Sequence, residues 1–370
     1  MSNLSEFWNS LGFEKYVLIV GIFLGGWYFV RLIYRTVSLM KKQEKQEKEE
    51  GVSVVITCEN KATELKENLK SFLEQDYPNF EIIVVDECSG DDTQEVLAEF
   101  QKQYPQLKSS RIYPGTKFRR TKKIAINLGV KAAIYDIILF SEINARPETR
   151  HWIRTMQSYF TSDTAVVLGA ASYVMKDYFS IRNYFRFLRF WKTWMFTQKG
   201  INVMGNAYNM GYRKRFYLEN RGFSGNTQEY IGFDVEMVQD LSLKGEVKVV
   251  KEEDARIIIQ QGSWQDDISY YCATQMRWPL QALFCYHLDF VLELCWYGML
   301  FYFLICSSLS LYFVLAICLT FLIDLILINI CLKRLRLKKL FITSLTINIL
   351  GFVYKGYYSI YSIFTRKKWR

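Results

Sequence analysis

The chain has 370 residues, of which 50% are hydrophobic and 16% aromatic, and it carries a formal net charge of +10. Such a composition excludes a disordered chain, which could not bury enough apolar surface, and a purely fibrous one. Eight cysteines without a CxxC pair and two histidines, His151 and His287, exclude a disulfide framework and a zinc site, so carboxylates, amides and cations must carry any chemistry.

The stretch from Tyr16 to Tyr34 is almost uninterruptedly apolar and lacks the small-residue cleavage site of a signal peptide, so it is expected to stay as a membrane-spanning anchor. Arg31, Arg35, Lys41 and Lys42 gather at its carboxyl end. The positive-inside rule then puts the amino terminus outside and the following domain in the cytoplasm. Lys41 to Glu50, KKQEKQEKEE, alternates in sign and reads as a solvated helical or flexible linker.

Between Val52 and Thr93 the pattern is strand, helix, strand. One apolar run ends in Thr57-Cys58-Glu59-Asn60, an amphipathic stretch leads to Tyr77-Pro78, and a second apolar run ends in Asp86. Parallel strands joined by a right-handed crossover place their carboxyl ends on one edge, where open α/β sheets bind ligands. A turn of Glu87-Cys88-Ser89-Gly90-Asp91-Asp92-Thr93 follows, in which Ser89 and Asp91 are expected to cap the next helix. A basic cluster of Lys117, Arg119, Arg120, Lys122 and Lys123 then opens a helix to Ala133. Cations there oppose the helix dipole unless an anion sits between them, and a diphosphate is the natural candidate. The strand Ile137 to Phe140 ends in Ser141-Glu142-Ile143-Asn144-Ala145-Arg146-Pro147.

From Phe179 to Lys199 there is no acid, and Arg182, Arg186, Arg189 and Lys192 recur at helical spacing among aromatic residues. Such a helix is expected at a membrane surface, the competing reading being a core helix with a solvated face. Gly205-Asn206, Phe233-Asp234 and Arg277-Trp278 follow. Leu294 to Ser308 and Leu309 to Leu332 read as a pair of spans before the basic run Lys333 to Lys339. Phe341 to Phe364 is expected to form a re-entrant or interfacial hairpin that keeps the basic tail inside. Asp324 and Asn329 lie within a span, where a helix-to-helix hydrogen bond is the expected use.

These spaced positions together resemble a family 2 glycosyltransferase, over roughly Val52 to Trp278. The resemblance implies an α/β fold of the GT-A type, a mixed and mostly parallel sheet flanked by helices, here with transmembrane helices at both ends. The expected division is an anchor at 1–40, a linker at 41–50, the GT-A domain at 51–262, an interfacial helix region at 263–289 and a membrane region at 290–370. By the same resemblance Thr57, Glu59 and Asp86 would surround the nucleoside, and Lys122 would lie near the donor. Glu142 and Asn144 stand where the family holds Asp-x-Asp around magnesium or manganese. One carboxylate is replaced by an amide, so the divalent cation would bind weakly. Gly205, Asn206, Arg277 and Trp278 would serve the acceptor and diphosphate. The family's Glu-Asp pair is Phe233-Asp234 here, leaving Asp234 as the general base, with Glu236 as an alternative two residues along.

The implied activity is inverting transfer of a sugar from a nucleotide-sugar to a glycolipid or polysaccharide acceptor at the cytoplasmic face of a bacterial inner membrane, in surface polysaccharide biosynthesis. Membrane lipid is an expected partner and nucleic acid is not. The departures at Asn144 and Phe233 keep open a catalytically degenerate subunit that binds nucleotide or a partner.

Overall fold

The computed structural model describes residues 12, 14–113, 121–174, 180–223, 232–275, 277–306, 310–335, 337, 340, 342–344, 353 and 356–357. In chain order, the first elements are α1 (Glu14–Met40), β1 (Val52–Cys58), α2 (Ala62–Leu73), β2 (Phe80–Asp86), α3 (Thr93–Gln103), β3 (Leu107–Arg111), α4 (Lys122–Ala132) and β4 (Ile137–Glu142). Next come β5 (Ala145–Pro147), α5 (Trp152–Gln157), β6 (Thr164–Leu168), β7 (Ala171–Tyr173), α6 (Ile181–Gln198), β8 (Met210–Arg213) and α7 (Lys214–Glu219). The remainder are α8 (Phe233–Leu241), β9 (Glu246–Val249), β10 (Ile257–Ile259), α9 (Trp264–Gln275), α10 (Leu280–Cys306) and α11 (Ser310–Arg334). Two compact units result, one of Met1–Met40 with Trp278–Gly356, the other of Lys41–Arg277 with Tyr357–Arg370.

The larger unit is built on a seven-stranded sheet of order β3-β2-β1-β4-β8-β6-β9, with a small second sheet β5-β10-β7. Strands β3, β2, β1 and β4 run parallel, β8 runs antiparallel to both β4 and β6, and β6 and β9 are parallel. This is the mixed, mostly parallel sheet expected. The apolar runs of β1 and β2 are buried on both faces, which is why they are continuous and do not alternate. Helix α2 closes one face by burying Leu65, Leu69, Phe72 and Leu73. On α4, Gly129 lies so close to β1 that an added Cβ would meet Val55 Cγ1 at 2.4 Å, so only glycine allows that helix its approach. Strand order reverses between β1 and β4, where Thr57 stands beside Glu142 in register. Reversal points of this kind are where open sheets leave a crevice for ligands.

The charged segment 41–50, expected as a solvated helical or flexible linker, is mostly exposed but is tied down along its length. It has no helix, and its charges and backbone are held along the larger unit. Lys45 pairs with Glu252 at 2.8 Å, Glu50 with Arg213 at 3.1 Å, and Glu49 with Arg154. A backbone bond from Gln46 N to Ser158 O (2.7 Å) and a side-chain bond from Gln157 Nε2 to Lys48 O (2.8 Å) complete the attachment.

Helix α6 departs from its expected place on a membrane surface. Tyr184, Phe187, Trp191 and Trp194 are buried, and the helix packs on β7 and β9. Its arginines turn to partners in the same unit. Arg182 donates to Val174 O (3.2 Å), Arg186 pairs with Asp267 (2.7 Å), and Arg189 donates to Gly205 O (3.1 Å). The core reading of the same periodicity is the one realised.

In the smaller unit α1, α10 and α11 are the three helices long and apolar enough, by length and composition, to cross a membrane among the described residues. Helix α10 starts at Leu280, well ahead of the span expected from Leu294. Charged residues early in this helix are satisfied within the bundle: Arg31 of α1 pairs with Asp289 at 2.9 Å and Glu293 at 3.5 Å. Asp324 accepts hydrogen bonds from Tyr28 and, at 3.4 Å, from Tyr297, which is the helix-to-helix role expected of it. Asn329 turns to Leu325 O (2.7 Å) on its own helix and to Ser344 Oγ (3.2 Å). Most of the expected Phe341 to Phe364 hairpin lies outside the described residues.

Candidate active site

The carboxyl ends of β1, β2 and β4 bring Thr57, Asp86 and Glu142 to one edge, since Cys58 pairs with Asp86 and Thr57 with Glu142. Asp86, expected to meet the nucleoside, is wholly buried, and its carboxylate is engaged inside the following loop. Its Oδ1 accepts from Ser89 N (2.8 Å) and Ser89 Oγ (2.6 Å). Its Oδ2 accepts from Gln94 Nε2 and lies 3.5 Å from Arg111 Nε. Asp91 accepts from Thr93 N (3.2 Å) at the start of α3 and Ala62 N (3.1 Å) at the start of α2, although the capping position of α3 is Asp92, and Ser89, also expected to cap that helix, turns to Asp86. Those hydrogen bonds outweigh desolvation and hold the Asp91 carboxyl below its usual range. Ser89 Oγ in turn accepts from Asn60 N at 2.8 Å. The loop is thus a rigid shelf below exposed Glu59.

Above that shelf sit Glu87, Glu142 and Lys122. Burial pushes the Glu87 carboxyl up to about 7, with Lys122 opposing the shift and Glu142 and Glu59 adding to it. Lys122, the first residue of α4, pairs with Glu142, while its Nζ also lies 5.3 Å from the centre of the Phe233 ring. The helix is capped by Thr121, whose side chain accepts from Ile124 N. Lys117, Arg119 and Arg120 lie outside the described residues. Lys123 does not join an anion-binding row: it is 1% exposed and pairs with Glu236 at 2.5 Å.

For a divalent cation the available ligands are few. Asn144 Nδ2 donates to Gln261 O (3.0 Å), which leaves its Oδ1 buried without a hydrogen-bond partner. Glu142 supplies one carboxylate. Among the described residues no group of three or more His, Cys, Asp or Glu could hold a metal. One carboxylate and one amide oxygen fit a hard cation that takes most of its ligands from phosphates and water.

On the other side of the site, Asp234 lies in the first turn of α8, 1% exposed, after Gly232 in the left-handed region at φ 81°. The Gly205-Asn206 segment lies against it: a Cβ at Gly205 would meet the Asp234 backbone at 2.4 Å. Asn206 Nδ2 donates to Gly169 O (2.8 Å), fixing that segment to the end of β6. Tyr270 Oη donates to Asp234 Oδ1 at 2.6 Å. Glu236, the alternative base, is held between Lys123 and Arg277 Nη1, the latter at 4.0 Å. Arg277 therefore belongs to the site's cationic side. Trp278 belongs to the smaller unit, where its ring meets Tyr286 edge-on at 5.7 Å.

Arg186, legible in the sequence only as part of a basic helix face, has partners that the sequence did not indicate. Arg186 stacks on Tyr208 (4.8 Å) and Tyr173 (5.1 Å) while pairing with Asp267. Burial, reinforced by Asp267, pushes the Tyr208 hydroxyl up to about 12.

Residues 53–222, a little under half of the chain, match the family model described as Glycosyl transferase family 2. The poly-beta-1,6-N-acetyl-D-glucosamine synthase of Staphylococcus epidermidis RP62A is 30% identical over 133 residues, covering 34% of this chain and 31% of that protein. The synthase of the same name from Staphylococcus aureus COL is 27% identical over 135 residues, covering 36% and 32%. The chain thus spans about a third of the length of the curated relatives it matches. Among solved structures, the mannosyltransferase PcManGT from Pyrobaculum calidifontis, in complex with GDP-Man and Mn2+, has a TM-score of 0.55 at 16% identity, covering 90% of this chain and 99% of that one. At that identity the likeness speaks for the fold.

Proposed function

We propose that the protein is an inverting glycosyltransferase that moves a sugar from a nucleotide-sugar to a glycolipid or polysaccharide hydroxyl. The catalytic unit would work at the cytoplasmic face of a bacterial membrane, in assembly of a surface polysaccharide. The observation that carries this reading is the position of Lys122. It joins Glu142 at the sheet edge to the ring of Phe233, the immediate neighbour of buried Asp234. Donor-side charge and a candidate base thereby lie within one connected constellation.

In this mechanism Thr57, Glu59 and the loop held by Asp86 bound the nucleoside. The acceptor oxygen attacks the anomeric carbon and the bond from that carbon to the diphosphate oxygen breaks. Its proton passes to Asp234, a carboxylate suited to that task when the hydroxyl lies within hydrogen-bond reach. Lys122 and Arg277 meet the charge left on the diphosphate. Glu142 and Asn144 would hold a divalent cation, which when bound supplies further neutralisation of diphosphate oxygens. Gly205 and Asn206 serve the acceptor side.

The departures from the family pattern favour a second reading, a nucleotide-binding subunit without turnover. Phe233 blunts that argument, since its ring attracts Lys122 through its face where a second acid would have done so by charge. The test is release of nucleoside diphosphate by the full chain in lipid nanodiscs across a panel of UDP-, GDP- and TDP-sugars with membrane lipid extract. Turnover with one donor class is expected. Tight nucleotide binding with no turnover on any donor would favour the second reading.

A further inference from the structure

Helix α9 has the sequence WQDDISYYCATQ, with no sustained apolar period, so its place in the fold must come from its polar contacts. Asp267 and Tyr270 are three residues apart and therefore share a face. Asp267 Oδ2 takes three donors from the sheet side and α6: Arg186 Nε (2.9 Å), Arg186 Nη2 (2.7 Å) and Tyr173 Oη (2.5 Å). One turn further, Tyr270 Oη accepts from Gly232 N (3.1 Å) and donates to Asp234 Oδ1 (2.6 Å). The helix is thus clamped at one end by a partly buried ion pair and at the other touches the cap residue of α8 and the carboxylate that follows it.

We infer that Tyr270 is a positioning residue for Asp234, and that the Arg186–Asp267 pair sets its place; this rests on the reading of Asp234 as general base. A carboxylate has two oxygens, and a base works best when one is committed to a fixed donor and the other is left for the incoming proton. Tyr270 commits Oδ1, which fixes the rotation of the carboxylate. Burial, with Asp234 beside it, pushes the Tyr270 hydroxyl well above its ordinary range, so it stays a donor throughout the working pH of an enzyme. The bond from Gly232 N occupies a lone pair of the same oxygen and sets the direction of the hydroxyl. Arg189, whose guanidinium lies over the Tyr271 ring at 5.0 Å and reaches Gly205 O, closes the side of this arrangement toward α6.

The test is Tyr270→Phe in the full chain, measured for kcat and donor KM with the donor identified by the panel, both in the native background and in Asp234→Asn. The expected result is a fall in kcat of about tenfold or more, the worth of a hydrogen bond to a charged group, with donor KM within about twofold. In the Asp234→Asn background the same substitution should change the residual rate little, because the two residues act as one unit. An unchanged kcat in the native background overturns the inference, and so does an equal fall in both backgrounds, which a general packing defect would give. A native chain without turnover fails the reading of Asp234 itself, whereas an active chain sensitive to Asp234 and indifferent to Tyr270 fails this inference alone.

Discussion

Replacing Asp86 by alanine should cost the catalytic unit stability before it costs anything else. The carboxylate is wholly buried and receives Ser89 N (2.8 Å), Ser89 Oγ (2.6 Å), Gln94 Nε2 and the Arg111 guanidinium (3.5 Å). Gln94 is partly exposed and can turn to water, whereas Arg111 Nε, which faces Asp86, is buried. The two Ser89 donors cannot turn to water, because Ser89 is 3% exposed. Each buried donor left without a partner costs about 1 to 3 kcal/mol. Removing Asp86 also removes its own desolvation cost, so about 3 kcal/mol net is the expected loss. For a unit of this size that corresponds to a fall in Tm of roughly 6 to 12 °C. Asp86→Asn keeps one acceptor for Ser89 and should fall by less. Thermal unfolding of both variants in nanodiscs, without nucleotide, gives the answer. A Tm for Asp86→Ala within about 2 °C of the native value would show that the carboxylate does not hold the loop, and a simultaneous loss of nucleotide affinity would return it to the role of direct ligand.

Asn144→Asp adds a second carboxylate beside Glu142 and should steepen the dependence of nucleoside diphosphate affinity on magnesium or manganese, measured by calorimetric titration at several metal concentrations; no steepening would mean that this pair does not ligate. Glu87 has a folded-state pKa near 7, above the 4.5 of a free glutamate, so its contribution favours folding below pH 4.5 and is lost as pH rises toward 7. Relative to Glu87→Gln, the native chain should therefore gain Tm on acidification from pH 7 to 5, and parallel curves for the two proteins would contradict the shift.

Much of the donor half is legible in the sequence because its signals are local. Thr57, Asp86 and Glu142 terminate apolar runs, and parallel strands bring such ends together whatever the detail of packing. The acceptor half is less legible because its contacts are long-range: Tyr270 reaches 36 residues back to Asp234, and Asp267 reaches 81 residues back to Arg186. Helix α6 shows a different limit. An aromatic and basic amphipathic pattern serves a membrane surface or a core lined by aromatic rings equally well, and only the partners of Arg182, Arg186 and Arg189 decide between them. The attachment of segment 41–50 escapes the sequence for the same reason, since alternating charge marks a free linker only where no complementary charges lie in reach. The start of α10 is hard to read for a similar reason, since its charged residues find their partner, Arg31, near the other end of the chain.

The most direct measurement of the central claim is single-turnover sugar transfer by Asp234→Asn alongside calorimetric donor affinity. The amide keeps the shape of the side chain and can still accept from Tyr270, yet it cannot take the acceptor's proton. Transfer is predicted to slow by roughly 100-fold or more while donor affinity stays within about twofold of native. Transfer at the native rate by Asp234→Asn would contradict the assignment of the base and, with it, the mechanism built on this site.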